Sequence, residues 1–395
     1  MFQTFSKEMG YIVNMLPKYL ARLGADVHLI TTDLPFHFNE KDSYTLNDRF
    51  LASASCPAGT VEQYDGYTLH VLPHQFVMGY VNMLGWKEKL RELKPDIVQA
   101  LPATGLIPLN AALAKPFLNY KLFTGNHTAT SSFPLVQQNK PVWSKARIAN
   151  LLSRGLNGRV ISLATEKCYC PTEDCAEIAW RFLGIEKQKV ELMYLGTDCD
   201  FFYPADSEEL FQERANLRQE LGFAEDEIVC VYTGKMTETK NPLILAQAIE
   251  KLREMGNKFS GIFIGNGVQS DLIQQNSFCK MLEFMPFYKL GAYYRASDIA
   301  VWPTNESTSM MDAAACGIPV IISDGVIYRK PVDGNGLVYK MNDHANLVES
   351  LLSLRDPHYR NQLGTVGASK MKTELSWETL AKRRLQDYKA AIAAR

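Results

Sequence analysis

The chain has 395 residues, of which 46% are apolar and 22% charged, a length and balance typical of a folded protein with two domains. Its 42 Lys and Arg residues against 43 Asp and Glu residues give a net charge of −1, which argues against a nucleic-acid partner. The apolar runs are far shorter than the roughly 18 residues of a membrane-spanning helix and no basic-then-apolar leader opens the chain, so we expect a cytoplasmic protein that is not integral to a membrane.

The first half of the chain alternates strand-like and helix-like segments. From Tyr11 to Leu23 apolar residues recur at helical spacing, and Gly24 follows as a C-terminal stop. Short β-branched runs lie at 26–31, 69–72, 96–100, 120–123, 160–164 and 190–194. This alternation predicts an α/β domain with a parallel, doubly wound sheet.

The eight cysteines are too widely spread for a disulfide framework. The one local cluster, Cys168, Cys170 and Cys175, has three thiols and no fourth ligand at the spacing of a zinc site. We therefore expect ordinary half-buried thiols in a strand-to-helix turn.

The segment 97–165 has no acidic residue. Its basic residues are Lys115, Lys121, Lys140, Lys145, Arg147, Arg154 and Arg159. Two interpretations stay open: a solvated face balanced by acidic loops elsewhere in space, or a docking surface for an anionic lipid leaflet or a phosphate-bearing acceptor.

The strand and helix alternation begins again after Gly196. Strand-like runs recur at 227–233, 261–265, 298–302 and 318–323. Asn241 is the expected cap of a helix that has Pro242 at its first position, and a last amphipathic helix covers 376–393. Two Rossmann-like domains, joined near 196–204, are therefore predicted to face each other across a cleft.

The turns after two strands of the second domain carry residues suited to a diphosphate. Lys235 and Lys240 bracket the turn at 234–242, where both ammonium groups can meet one anion at a helix N-terminus. Gly265 and Gly267 form the next strand-to-helix turn, a weak signal by itself.

The segment 302–321 is the strongest signal. A strand ends in a polar loop with Glu306, and Ser307, Thr308, Ser309 and Met310 open a helix of small residues. Free N–H groups of these four residues would cradle a pyrophosphate. Glu306 and Asp312 would then reach sugar hydroxyls on either side.

In order along nearly the whole chain, these motifs resemble the retaining nucleotide-sugar glycosyltransferases of family 4, which have the GT-B fold. The matching segments are Gly10-Tyr11, 94–98, 125–127, 195–198 with Phe202 and Pro204, the turns at 234–242 and 265–267, Ser297-Asp298, the Glu306 segment, and 376–378 with Tyr388. No single motif decides the resemblance, but the collinear series is specific.

The resemblance implies roles at the donor end. Lys240 matches the family's diphosphate-binding lysine, and Lys235 stands where the family usually has arginine. Glu306 matches the first family glutamate, which holds the donor sugar near its reacting carbon. Asp312 matches the second glutamate, which binds the ribose.

The resemblance assigns further positions in the same way. His127 matches the first-domain histidine near the donor sugar and acceptor, and completes the implied catalytic set with Glu306 and Lys240. Gly10 matches the loop glycine whose backbone faces the phosphates. Met285, Pro286 and Phe287 lie where the family wraps the nucleotide base, and Gly265, Gly267 and the amides of 307–310 belong to the same implied pocket.

Two departures from the family pattern concern this pocket. Only five residues separate Glu306 from Asp312, where the family has seven, and the second acid is one methylene shorter. Ser307, Thr308 and Ser309 also replace the family's glycine and phenylalanine. Both changes bear on the geometry of the diphosphate cradle.

We expect an acceptor-binding domain over 1–195, a linker over 196–206, a donor domain over 207–375, and a crossover helix over 376–395 that packs back toward the first domain. Domains of this family begin with a strand ahead of the glycine turn. Only nine residues precede Gly10 here, so we expect either an upstream start or a first sheet one strand short.

The expected activity is transfer of a hexose from a UDP- or GDP-sugar to an acceptor hydroxyl, with retention and without a cofactor. No Asp-x-Asp element follows a strand in the first domain, so metal-independent chemistry is expected. We expect a glycan or lipid-linked acceptor in cell-surface polysaccharide, O-antigen or glycolipid synthesis, and contact with the inner face of the cytoplasmic membrane through 97–165.

Two other functions remain open from the sequence. A GT-B-fold nucleotide-sugar 2-epimerase would use the same cleft and would need no acceptor. A non-catalytic relative that binds a sugar or phosphate is kept open by the altered acid spacing. Donor-dependent release of nucleoside diphosphate separates a transferase from both.

Overall fold

The structure is a computed structural model that describes residues 1–2, 4–7, 9–35, 56–130, 133, 144–304 and 306–394. Strands in the described residues are β1 (His28–Thr32), β2 (Val61–Tyr64), β3 (Tyr67–Leu72), β4 (His74–Val77), β5 (Tyr80–Met83), β6 (Ile97–Ala100), β7 (Lys121–Gly125), β8 (Thr165–Cys170), β9 (Val190–Leu192), β10 (Ile228–Thr233), β11 (Phe259–Ile264), β12 (Cys279–Leu282), β13 (Ile299–Trp302), β14 (Val320–Ser323) and β15 (Gly336–Tyr339). Most of them are short and buried, as expected of parallel strands covered on both faces.

Helices separate most of these strands. Those described are α1 (Ile12–Arg22), α2 (Trp86–Leu93), α3 (Leu106–Leu118), α4 (Lys145–Asn150), α5 (Leu156–Ala164), α6 (Glu173–Phe182), α7 (Glu208–Glu220), α8 (Leu243–Glu254), α9 (Ser270–Gln274), α10 (Leu290–Ala296), α11 (Ser309–Ala315), α12 (His344–Ser353), α13 (Pro357–Glu374) and α14 (Trp377–Ala393). A π-helical turn, Leu151–Gly155, joins α4 to α5 into one continuous helical segment. None of the described helices is long and apolar enough to cross a bilayer.

The second domain has one parallel sheet in the order β12-β11-β10-β13-β14-β15. The sheet therefore begins at β10 and adds β11 and β12 on one side. The chain then returns to β10 and adds β13 on its other side. This reversal is the topological switch point of a doubly wound sheet, where the loops after β10 and β13 diverge and leave a crevice. The predicted parallel α/β architecture is confirmed.

The first domain has two sheets, β1-β3-β2 and β6-β7-β8-β9, and a hairpin of β4 and β5. The backbone of Met1 and Phe2 lies between the two sheets. Phe2 N donates to Ile30 O (3.0 Å), and Leu101 N donates to Met1 O (3.1 Å). A stretch of two residues thus links β1 to β6.

The chain passes between the domains twice, once at Thr197 and once at Ser376, and these two passages lie side by side. Thr197 forms an isolated parallel bridge with Ser376. After this bridge α14 returns to the first domain, where Trp377, Leu380 and Tyr388 join the core around α1. The predicted packing of the C-terminal helix toward the first domain is confirmed, while the predicted domain boundaries stay predictions.

The predicted strand at 160–164 is wrong, because these residues belong to α5 and β8 starts only at Thr165. A Cβ atom on Gly158 would lie 1.6 Å from Leu183 O, so this glycine lets α5 press against the backbone that follows α6. Helical packing here outweighs the β-preference of Val160 and Ile161.

The predicted cap of α8 is also wrong. Asn241 has a left-handed φ of 45°, and Pro242 rather than Asn241 immediately precedes the helix. The N–H of Leu243 instead donates to the side chain of Gln269 at 3.3 Å. Asparagine is one of the few residues that adopts this left-handed conformation readily, which explains its place in the turn.

Candidate functional site

The candidate site lies at the switch point of the second domain. The loop after β10 carries Lys235 and Lys240, and the loop after β13 carries Glu306. Because β10 and β13 are adjacent parallel strands, both loops leave the same edge of the sheet. The topology therefore brings together the two strongest motifs of the sequence.

The glycine turn supports the lysine turn from the neighbouring strand. Gly265 has φ +136°, and a Cβ atom there would lie 2.0 Å from Gly234 O. A Cβ atom on Gly267, at φ +151°, would lie 2.5 Å from Met236 O. The backbone of Met236 donates to Asn266 O at 2.8 Å. Both glycines are thus required by close backbone approach.

Lys240 joins the two loops directly. Its ammonium donates to Glu306 O at 3.1 Å. Burial lowers the pKa of Lys240, the charge of Glu306 opposes this, and the neighbouring Lys235 ammonium lowers the pKa further. Two cations held close to each other in a partly desolvated crevice favour an anionic ligand.

The loop that carries Glu306 is fixed by side-chain bonds to backbone. Thr304 Oγ1 donates to Thr239 O (2.7 Å), and Ser323 Oγ donates to Thr304 O (2.7 Å). The Glu306 carboxylate accepts the N–H of Ile327 at 3.1 Å. Glu306 is therefore oriented by a backbone donor that the sequence analysis did not identify.

The four predicted amides are not all free. The N–H of Ser309 donates to Ser307 Oγ at 3.3 Å, and the N–H of Met310 donates to Ser307 O at 3.2 Å. The expectation is therefore wrong for Ser309 and Met310, because a turn at Ser307 uses both N–H groups. Thr308 immediately precedes α11, which begins at Ser309.

Asp312 lies beside the passage between the domains, where it bonds to Thr197. Thr197 Oγ1 donates to its carboxylate at 2.7 Å. Burial raises the pKa of Asp312 to about 7, the bond from Thr197 opposes this, and the charge of Asp198 adds to it. The predicted ribose contact of Asp312 stays a prediction, and Thr197 is a partner that the sequence analysis missed.

His127 follows β7 in the first domain and is paired with Tyr11. Tyr11 Oη lies 3.0 Å from His127 Nδ1. Burial lowers the pKa of His127 to about 3, and the charge of Arg384 contributes. Burial also raises the pKa of Tyr11 to about 12. The pair is therefore a neutral imidazole bonded to a neutral phenol at pH 7.

Cys175 connects this pair electrostatically to the second domain. Burial raises the pKa of the Cys175 thiol to about 12, and the charge of Glu306 is among the further causes. Cys175 also contributes to the raised pKa of Tyr11. Cys175 thus lies within electrostatic range of both Tyr11 and Glu306. Cys168, Cys170 and Cys175 are all free and buried.

Gly10 and Phe287 meet at the domain interface. A Cβ atom on Gly10 would lie 2.6 Å from the ring of Phe287. Phe287 also packs edge-on against Phe201, with ring centroids 5.5 Å apart. Met285 packs against the core of the second domain. The base and phosphate contacts predicted for Gly10, Met285 and Phe287 stay predictions.

Two of the missed residues had a signal in the sequence. Tyr11 follows Gly10 in the first turn, and Thr197 follows Gly196 in a segment already matched to the family. What the sequence does not contain is the fold-dependent distance from Tyr11 to His127, 116 positions apart. Ile327 acts through its backbone, so its residue type carries no signal.

A separate cavity of about 700 Å³ lies in the second domain. Its walls include Tyr203, Arg214, Arg295 and Gly317. None of the predicted site residues lines it, and Arg214 is already bound to Asp298 at 2.7 Å. This cavity is therefore distinct from the crevice at the switch point.

The basic segment 97–165 divides into two groups. Lys115, Lys121 and Arg159 lie within 4 Å of the carboxylates of Glu166 or Glu186. Lys145, Arg147 and Arg154 have no ion pair with the described residues and lie along the helical segment 145–164. Lys140 lies outside the described residues.

Two family models match the chain, "Glycosyltransferase Family 4" over residues 9–201 and "Glycosyl transferases group 1" over residues 227–356. A D-inositol 3-phosphate glycosyltransferase of Thermobifida fusca is 24% identical over 262 residues, which cover 59% of this chain and 57% of that protein. The chain thus aligns with little more than half the length of its curated relatives.

Solved structures match over much more of the chain. HepE of Anabaena, in complex with UDP, has a TM-score of 0.67 at 13% identity and covers 98% of both chains. WaaG, a glycosyltransferase involved in lipopolysaccharide biosynthesis, has a TM-score of 0.60 at 13% identity and covers 94% of this chain and 93% of that one. These likenesses establish a GT-B fold. The two family matches show that the chain belongs to the family 4 and group 1 glycosyltransferases.

Proposed function

We propose that this protein transfers a hexose from a nucleotide diphosphate sugar to an acceptor hydroxyl, with retention at the anomeric carbon. The observation that carries the proposal is the bond from Lys240 to Glu306 O at the switch point, with Lys235 beside it. An ammonium has three donors, so one bond to a carbonyl leaves two for the oxygens of a diphosphate. HepE of Anabaena was solved with UDP and with UDP-glucose, which supports a nucleotide-sugar donor.

In the proposed reaction the acceptor oxygen bonds to the anomeric carbon as the bond from that carbon to the diphosphate breaks. The electron pair leaves with the diphosphate, and the acceptor proton passes to a phosphate oxygen on the same face. Negative charge develops on the leaving group, where Lys235 and Lys240 stabilise it. These two cations supply the charge that a metal ion would otherwise supply, so we propose metal-independent chemistry.

Glu306 and His127 position the sugar in this proposal. Ile327 holds the Glu306 carboxylate, which is then fixed for a sugar hydroxyl. We propose that Tyr11 Oη is the donor of its 3.0 Å bond with His127 Nδ1, which places the proton of the neutral imidazole on Nε2, where it can donate to the sugar. His127 thus acts as a hydrogen-bond donor without positive charge.

A donor screen tests the activity. UDP-, GDP- and ADP-sugars are each incubated with the protein, with and without EDTA, and nucleoside diphosphate is measured. We expect release from one UDP- or GDP-sugar, unchanged by EDTA. Conversion of a nucleotide sugar to its 2-epimer, or binding without release, would replace the transferase proposal with one of the two other functions.

We also propose that the acceptor is a lipid-linked or surface glycan and that the protein works at an anionic membrane. Ile148, Leu151, Leu152, Leu156, Val160 and Leu163 are exposed along the segment 145–164. Phe117 of α3, which packs beside α5, is 80% exposed. These apolar side chains share the segment with Lys145, Arg147 and Arg154, which have no ion pair with the described residues, and together they form a surface suited to anionic lipid. The guanidinium groups of Arg147 and Arg154 lie over the rings of Phe182 and Phe133. WaaG, involved in lipopolysaccharide biosynthesis, supports this setting.

Vesicle flotation tests the membrane contact. The protein should bind vesicles containing phosphatidylglycerol and lose binding in 0.5 M salt, because salt screens the basic residues. The double substitution Leu151→Glu and Leu152→Glu should reduce binding about tenfold or more. The matched control is Phe211→Glu on α7, an equally exposed apolar residue of the second domain. Equal binding to neutral vesicles, or equal loss in the control, would contradict the proposal.

A further inference from the structure

The loop between β14 and β15, residues 324–335, contacts both Glu306 and the first domain. Within this loop Ile327 donates its N–H to the Glu306 carboxylate at 3.1 Å. The next residue, Tyr328, is 8% exposed and stacks on the ring of Tyr194, with ring centroids 4.6 Å apart and an interplanar angle of 20°. One residue of the loop therefore holds Glu306, and its neighbour in sequence contacts Tyr194.

Tyr194 lies at the end of the second sheet of the first domain. The preceding residue, Met193, extends the pairing of β9 with β8, because its N–H donates to Cys170 O at 2.9 Å. Met193 belongs to the core of the first domain, whereas Tyr194 packs against the core of the second. Tyr194 Oη also donates to the carboxylate of Glu173, the first residue of α6, at 3.4 Å. The stack of Tyr194 on Tyr328 is therefore a contact between the domains.

A cation of the same loop adds to this contact. Lys330 Nζ lies 5.0 Å from the centroid of the Tyr194 ring, a distance at which an ammonium is attracted to an aromatic face. Lys330 is itself held by α13, since its ammonium pairs with Glu374 at 3.1 Å and its carbonyl accepts from Lys370 at 3.1 Å. The loop thus contacts Tyr194 with one ring and one ammonium, and α13 fixes the ammonium.

The hydroxyl of Tyr328 takes no part in the contact. Among the residues that the structure describes, Tyr328 Oη is buried and has no hydrogen-bond partner. The side chain therefore contributes through its ring, by stacking and by the shape that it fills. A phenylalanine ring supplies both, which makes Tyr328→Phe the conservative variant.

We propose that Tyr194 and Tyr328 are positioning residues for Glu306: their stack between the domains holds Ile327 where its N–H meets the Glu306 carboxylate. Tyr194 acts on Glu306 through two contacts in series, its ring on Tyr328 and the Ile327 N–H on the carboxylate. Loss of the stack frees the loop, so the contact between the domains and the orientation of Glu306 are coupled. The effect on turnover rests on the proposed function, whereas the effect on the Ile327 bond does not.

Amide exchange at Ile327 tests the coupling without any substrate. Tyr194→Ala should speed exchange of the Ile327 N–H about fivefold to tenfold, because the loop opens more often without the stack. Tyr328→Phe keeps the ring and should exchange like the unaltered protein. Tyr359→Ala is the matched control, since it removes a 36% exposed ring from α13, and Val231, in the core of the second domain, reports global opening. Equal exchange at Ile327 in Tyr194→Ala and the unaltered protein would overturn the proposal.

A cycle with Glu306 tests the role in turnover. Tyr194→Ala and Tyr328→Ala should each lower kcat about tenfold, because the carboxylate is no longer held in place, and Tyr328→Phe should recover most of the loss. In a Glu306→Ala background there is no carboxylate to position, so Tyr194→Ala should lower kcat less than about twofold further.

The comparison of the two backgrounds separates positioning from a structural role. An equal loss on Tyr194→Ala with and without Glu306 would show that the stack only supports the fold, and would overturn the proposal. If the unaltered protein releases no nucleoside diphosphate from any donor, the proposed function fails instead. The exchange of the Ile327 N–H then decides the coupling by itself.

Discussion

Lys240 is the cationic side chain that joins the two loops of the donor site, where its ammonium donates to Glu306 O. Lys240→Ala should lower kcat about 10²-fold to 10³-fold, because one of the two cations that stabilise the leaving diphosphate is lost. The half-buried side chain makes one bond to Glu306 O, so the melting temperature should change little. Steady-state kinetics and thermal unfolding measure both.

The control for this variant lies on the helix that follows the lysine turn. Lys251→Ala on α8 removes an exposed lysine that is paired with Glu254 at 2.9 Å. Its kcat should match that of the unaltered protein. Near-normal turnover in Lys240→Ala would contradict the assignment of the site itself.

Asp312 gives a prediction about pH. Burial raises its pKa to about 7 in the folded chain, against about 3.9 for an unperturbed aspartate. Between these two values the folded state binds more protons than the unfolded state, so this group lowers stability as pH rises through that range, by at most about 1.4 kcal/mol per pH unit. Asp312→Asn should remove this slope, and its stability advantage should grow from pH 5 to pH 8.

Urea unfolding at each pH measures the effect. Thr197→Val serves as the second variant, because loss of the Thr197 bond raises the pKa of Asp312 further and moves the window upward. Identical pH slopes for the unaltered protein and Asp312→Asn would contradict the assignment. A raised donor KM in Asp312→Asn would support the predicted ribose contact.

The sequence predicted the identity of the site residues better than the contacts that orient them. Lys240 and Glu306 follow strands that prove adjacent, and motif spacing was enough to select both. Tyr11 and Ile327 orient His127 and Glu306, but they do so through contacts that exist only once distant segments have folded together. Tyr11 belongs to the matched Gly10-Tyr11 turn, but its distance to His127 is not in the sequence, and Ile327 acts through its backbone, so its residue type gave no reason to choose it.

Among the elements, the turn after β11 depends most on glycine. Gly265→Ala places a Cβ atom 2.0 Å from Gly234 O at a positive φ, so both the backbone and the lysine turn must shift. We expect a loss of roughly 3 kcal/mol in the free energy of unfolding. The folded fraction should also lose activity, because the turn that carries Lys235 moves.

A matched glycine separates the two causes. Gly256 has φ +79° and no atom within 4 Å of the added Cβ, so Gly256→Ala measures backbone strain alone, about 1 kcal/mol. Urea unfolding of both variants gives the difference. Equal losses at Gly265 and Gly256 would show that close approach to the lysine turn contributes nothing.

The elements that the sequence predicted well are the long, periodic ones. Helices α1 and α14 and the buried strands β10 and β11 were all identified from their patterns. The edge strands β12 and β15, of four residues each, were not predicted, because short strands have too few residues to show a period. The strand predicted at 160–164 failed because packing of α5 against α3 and the backbone of Leu183 outweighs local preference.

The first passage between the domains, at Thr197 and Asp198, is anchored to α1. Lys18 of α1 donates to Asp198 at 2.7 Å, and the two side chains are 3% and 2% exposed. Tyr19 Oη donates to the same carboxylate at 2.6 Å. Asp198 follows Thr197, which bridges to Ser376, so this pair ties α1 to both passages of the chain between domains.

Removal of one partner leaves the other charge buried. Lys18→Met should therefore lower the free energy of unfolding by about 3–5 kcal/mol, and the double variant Lys18→Met with Asp198→Leu should recover a large part of the loss. Lys251→Met is the control, because its exposed pair with Glu254 should contribute less than about 1 kcal/mol. Urea unfolding of the unaltered protein, Lys18→Met, Asp198→Leu and the double variant completes the cycle. A double variant as unstable as the sum of its singles would show that the two charges do not interact and that α1 is anchored by its other contacts.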